Sequence, residues 1–141
     1  MLRSTMTLAA ELVSQGRQAR KEGKFSLARE RYAEAATVCR EQNDTLAYAH
    51  ALRHIADIYQ EESNFVEAKA LYEEALELYR GNLATRLLDL ANTVRPYALL
   101  NERLGNSDLA KTLWEEARHL YGSLRLEAGI SECEAHLARS T

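Results

Sequence analysis

His50, His54 and Asp57 stand at positions i, i+4 and i+7, a spacing that places all three on one helical face. Two histidines so spaced can chelate a divalent metal through their imidazole nitrogens. No Glu follows His50 in the metalloprotease arrangement and no defined third and fourth ligand accompanies the pair, so the trio reads as polar surface lining with no metal. Other catalytic patterns are missing as well: there is no Gly-rich phosphate loop, no nucleophile elbow and no cysteine pair at metal-binding spacing. His119 and His136 are isolated on other segments, and the Asp and Glu residues lie where solvated helix carboxylates are the ordinary explanation. The expectation is a chain that is not an enzyme and needs no cofactor.

The elements that must carry these residues follow from composition. Ala, Leu, Glu, Lys and Arg account for 79 of 141 residues, whereas Val and Ile total seven. The first group loses little conformational freedom in a helix, and a sheet is filled from β-branched and aromatic residues that this chain lacks. An all-α fold is predicted. The formal net charge of -3 gives no bulk attraction to nucleic acid or anionic membranes, so any electrostatic recognition must come from local patches. Two cysteines, Cys39 and Cys133, are too few and too far apart for a disulfide or metal framework, which fits a reducing compartment. The stretch from Met1 to Val13 carries Glu11 inside its only apolar run, and no window approaches the roughly 18 apolar residues of a membrane span. A cytoplasmic location, away from membranes, is expected.

Self-comparison brings three segments into register. Gly16, Ala56 and Ala98 align, then Ala28, Ala68 and Ala110, then Tyr32, Tyr72 and Trp114, then Ala35, Ala75 and Ala117, at offsets of 40 and 42 residues. Each segment reads as two helices around a polar break. Leu52, Ile55, Ala56 and Tyr59 mark one helical face, and Ala68, Leu71, Tyr72, Ala75 and Leu78 mark the next. The break Glu62-Ser63-Asn64 ends in Asn64 with Glu67 three residues on, a predicted N-cap and capping-box pair. Antiparallel helices approach closely only where one offers a small side chain to the other's bulk, which accounts for Gly or Ala opposite an aromatic ring.

This pattern resembles the tetratricopeptide-repeat family over about residues 8–122, and the longer repeat is similar to the kinesin-light-chain type. The resemblance implies a right-handed superhelical α-solenoid of three helix-turn-helix hairpins in a single domain, 1–141, with repeats at 7–42, 44–82 and 84–122. A capping helix at 126–139 follows, with Ile130, Cys133 and Leu137 on its packed stripe and Glu127, Glu132, Glu134 and Arg139 on a solvated back. Leu8 and Leu12, on the first hairpin, are expected to be partly exposed. Tyr48, Tyr97 and Tyr121 have no assigned environment.

The family's leading helices line a concave groove, so the resemblance implies a noncatalytic interaction module that binds a peptide or helix of a partner protein there. The implied groove residues are Arg17, Arg20, Lys21, His50, Arg53, His54, Asp57, Arg95, Leu99 and Arg103. Across the groove-facing positions, Arg17, Arg20, Lys21, Arg53, Arg95 and Arg103 outnumber Asp57, Glu61 and Glu102. That surplus of positive charge would steer an acidic segment, with Asp57 selecting against simple polyanions. The alternative is that the arginines pair with neighbouring carboxylates on a solvated face. The family's chaperone-binding carboxylate clamp is not matched, because its positions hold Val13, Arg17, His54, Asn92 and Pro96 here. Pro96 removes one backbone hydrogen bond from the third leading helix, which either starts late or bends harmlessly, or kinks and reshapes the groove near Arg95 and Leu99. A rival function is a structural module that forms homo-oligomers through Leu8 and the first hairpin.

Overall fold

A computed structural model describes residues 5–140, with side chains from Thr7 onward. Seven helices fill it: α1 (Thr5–Lys21), α2 (Phe25–Glu41), α3 (Thr45–Glu61), α4 (Phe65–Arg80), α5 (Leu87–Arg103), α6 (Ser107–Ser123) and α7 (Glu127–Arg139). No strand occurs among the described residues, and none of these helices is long and apolar enough to cross a membrane. The helices fall into two units, one ending at Gly81 and the other beginning at Asn82.

In the first unit α1 packs on α2, α2 on α3, and α3 on α4. The second repeats the scheme, with α5 on α6 and α6 on α7. The three predicted hairpins are therefore present, and a leading helix stacks onto the preceding hairpin within each unit.

The aligned small and aromatic residues form the seams. Tyr32, Tyr72 and Trp114 are buried, as are all the aligned alanines of the trailing helices. A Cβ placed on Gly16 would lie 2.8 Å from the Tyr32 ring, so α1 and α2 meet where a side chain has been deleted.

Five of the six turns close alike. Gly23, Asn43, Ser63, Gly105 and Arg125 adopt positive φ, and the amide that follows each bonds a carbonyl five residues back, as in Lys24 N–H to Ala19 at 2.9 Å and Asn64 N–H to Tyr59 at 2.8 Å. This left-handed closure satisfies carbonyls that the helix end leaves unpaired. The exception is the 81–86 segment, whose residues keep negative φ and where the unit boundary falls.

Several expectations need correction. Asn64 is the N-cap of α4, but its side chain makes no capping bond, so the predicted capping box does not form; Asp44 caps α3 instead, accepting from the Ala47 amide at 3.1 Å. Leu12 is buried, because it lies on the stripe of α1 that faces its own unit, whereas Leu8 is 36% exposed. Glu132 is not on a solvated back, since it reaches across to Arg95 of α5. Tyr97 and Tyr121 are buried, and Tyr48 is half-buried with its hydroxyl donating to Glu74 at 3.3 Å. Pro96 lies within α5, nine residues after its first residue Leu87, so the helix does not start late.

Candidate functional site

α3 presents a polar face of residues spaced three and four apart, which the helical period keeps in line. His54 lies at its centre. Its ring stacks on the buried Tyr32 of α2, with centroids 4.8 Å apart and planes 5° from parallel. His50 meets it edge-on one turn earlier, with the two Nε2 atoms 3.2 Å apart, so one ring nitrogen donates to the other. Burial pushes His54 down to about 2, and the positive charge of Arg53, with His50, Arg20 and Arg17 adding, works in the same direction. The ring is neutral at any functional pH.

Two imidazoles at this spacing are chemically able to hold a metal, but the arrangement around them does not supply the remaining ligands. Asp57, the third member of the trio, is engaged elsewhere. It accepts from Arg53 at 2.8 Å and from the Tyr72 hydroxyl, which in turn accepts from Gln60 at 3.0 Å. No group of three His, Cys, Asp or Glu suited to a metal ion occurs among the described residues.

The groove residues of the first unit come together but are not equivalent. Arg20 pairs with Glu61 across α1 and α3, its Nε donating at 2.9 Å. Arg53 is tied to Asp57 with only 16% of its side chain exposed. Arg17 and Lys21 are exposed, and Arg17 has no carboxylate partner among the described residues. Among the groove positions of this unit, the positive charge left without a carboxylate partner among the described residues thus lies on α1, at Arg17 and Lys21. Among the described residues, three buried side-chain polar atoms lack a hydrogen-bond partner: Gln42 Nε2, Arg53 Nε and His54 Nδ1. All belong to this unit, two on α3 and one at the end of α2.

Beside these groups is a hollow of about 410 Å³. α1 contributes Ala9, Ala10, Val13, Ser14 and Arg17, and α3 contributes Ala47 and His50. Gln42, Cys39 and Asp44 close the third side. Val13, Ser14, Arg17 and His50 among these fall at groove-facing positions of the repeat alignment; the alanines carry no chemical signal of their own.

The second unit repeats part of this arrangement. His136 of α7 stacks on Trp114 of α6, centroids 4.0 Å apart and 14° from parallel. The spacing from ring to histidine is 22 residues in both cases, Tyr32 to His54 and Trp114 to His136. α7 thus stands to α6 as α3 stands to α2. The groove-facing groups of α5 are taken up by its neighbours: Arg95 pairs with Glu132 in a two-pronged contact, one prong at 2.8 Å. Glu102 accepts from Trp114 Nε1 at 3.0 Å and lies 2.7 Å from His136 Nδ1. Tyr121 donates to Asn92 at 2.8 Å. Leu99 is half-buried and Arg103 exposed.

Neither cysteine is primed for reaction. Both are free and buried; burial raises the Cys39 thiol and pushes Cys133 up to about 11.

No curated protein sequence matches the chain. A family model for the tetratricopeptide repeat matches residues 7–81, more than half of the chain, from the third residue of α1 to just past the end of α4. With paired helices, small-to-aromatic seams and hairpin stacking already in place, the chain belongs to the tetratricopeptide-repeat family.

Proposed function

We propose that the protein is a noncatalytic recognition module whose first unit binds an acidic segment of a partner protein on the face shared by α1 and α3. Tetratricopeptide repeats mediate contacts between proteins and carry no catalytic machinery of their own. The observation that supports the acidic partner is the division of the arginines. Arg20 and Arg53 are spent on Glu61 and Asp57, whereas Arg17 and Lys21 remain exposed on α1 with no carboxylate partner among the described residues, a local pair of cations open to a ligand.

In the second unit the corresponding groups of α5 are held by α7, so Arg95 acts there as a structural residue. Leu99 and Arg103 remain contact positions of the second unit. The paired Asp57 keeps a carboxylate close to the binding face, which favours a mixed segment over a uniform polyanion. Self-association through the first hairpin has less support, because Leu12 is turned inward. Two unpaired buried thiols are consistent with a cytoplasmic setting.

The test is a peptide array of acidic, neutral and basic sequences probed with the intact chain and with the Arg17→Glu, Lys21→Glu double variant. Acidic peptides should be retained by the parent chain and lost by the variant, with helicity unchanged by circular dichroism. Retention that ignores peptide charge would refute the reading.

A further inference from the structure

We infer that the hollow between α1 and α3 is a side-chain pocket for one aliphatic residue of the bound segment, with an acidic residue adjacent to it in that segment anchored on Arg17. This rests on the groove reading above and assigns its recognition chemistry.

The walls set the first half of the specificity. Ala9, Ala10, Val13 and Ala47 present methyl groups to a space of about 410 Å³, enough for a Leu-sized side chain and part of its backbone. This part of the lining offers apolar area from which an aliphatic side chain gains by leaving water, with the Ser14 hydroxyl beside it. The rim sets the second half. Arg17 has no carboxylate partner among the described residues, and Gln42 Nε2 is buried without an acceptor. Unspent donors at one edge of an apolar hollow call for a ligand that brings acceptors.

Charge then selects among acceptors. Asp44 also lines the hollow; its Oδ1 is used on the Ala47 amide, but its negative charge stays. One exposed guanidinium beside one carboxylate suits a singly charged side chain better than a phosphate carrying nearly two charges. The Arg17 guanidinium at the rim disfavours a metal cation in this space. The occupant is therefore an aliphatic residue flanked by Asp or Glu.

The test uses 4-methylpentanoate, which joins a leucine-like tail to one carboxylate. Chemical shifts of the Ala10, Val13 and Ala47 amides are followed during titration of the full chain. Saturable, weak binding is expected, as the small size of the probe dictates. Acetate and the neutral 4-methylpentanamide should each bind at least about tenfold more weakly. Ala10 is exposed, so Ala10→Trp fills the hollow without touching the core and should abolish the shifts, and Arg17→Gln should reproduce the weakness of the neutral probe. The peptide array supplies the second arm, where retained sequences should carry Leu, Ile or Met next to Asp or Glu. If the array retains acidic peptides with no aliphatic preference and Ala10→Trp changes nothing, the pocket is refuted and the groove reading stands. If the small acid binds but no peptide is retained, the groove reading falls and takes the segment proposal with it. If neither binds, both fall.

Discussion

The Gly16 Cα faces the Tyr32 ring so closely that a methyl group there would sit 2.8 Å from two ring carbons, and Tyr32 is fully buried and cannot swing aside. A second contact of this kind joins Gly129 of α7 to the ring of Tyr121, where an added Cβ would approach to 2.5 Å. Gly122, by contrast, has open space around it.

Gly16→Ala is therefore expected to destabilise the protein by about 1–2 kcal/mol, the overpacking penalty exceeding the helix-propensity gain. Gly122→Ala has the propensity gain alone and should be neutral or stabilising by up to about 1 kcal/mol. Urea unfolding of both variants checks the pair. Equal shifts in the same direction would mean that the seam is not tight.

Asp57 and Tyr72 separate the cost of an orphaned charge from that of a lost hydrogen bond. Asp57→Ala strands Arg53, whose Nε already lacks an acceptor, and should cost about 3 kcal/mol or more. Tyr72→Phe removes one hydroxyl and leaves the charge pair intact, for about 1 kcal/mol. Thermal unfolding of the two variants should rank them in that order.

His54 gives the fold a defined acid sensitivity. An imidazole in the unfolded chain titrates near 6.5, while in the fold burial, with Arg53 adding to it, pushes His54 down to about 2. Between those values the unfolded chain binds a proton that the folded chain refuses. Stability from this group is thus complete above about pH 6.5 and is lost as pH falls, by at most about 1.4 kcal/mol per pH unit. His54→Phe retains a ring against Tyr32 and cannot protonate, so the gap between parent and variant should change in favour of the variant from pH 7 to pH 5. Denaturation midpoints that run parallel over this range would contradict the assignment.

Trp114, the chain's one tryptophan, reports on α7 because His136 lies against its indole face. His136→Ala should bring water to a ring that is 1% exposed and shift its emission to longer wavelength. The control Arg95→Gln removes an ion pair whose two side chains are both partly exposed and should cost less than about 1 kcal/mol with little spectral change.

The seams were legible in the sequence because they depend on size, and size recurs in register at Gly16, Ala56 and Ala98 and at Tyr32, Tyr72 and Trp114. The turns were legible as polar breaks, but Ser63 and Arg125 in the left-handed region were not, since neither residue type favours it. Pairing within the site was the least accessible. Glu61 lies 41 residues from Arg20 and Glu132 lies 37 from Arg95, so each partner is set by helix stacking and not by any local pattern. For the same reason the positive charge of the groove positions could be counted but not divided into spent and unspent. The histidine stacks did leave a trace, a common spacing of 22 residues from ring to imidazole, visible only once α7 is aligned with α3 as a leading helix.

Titration calorimetry of the best-retained acidic peptide against the parent chain and the Arg17→Glu, Lys21→Glu variant measures the central claim most directly. The account predicts at least about a tenfold loss of affinity in the variant, a further loss in the parent as salt rises, and identical helicity. Equal affinity in the two proteins at low salt would contradict it.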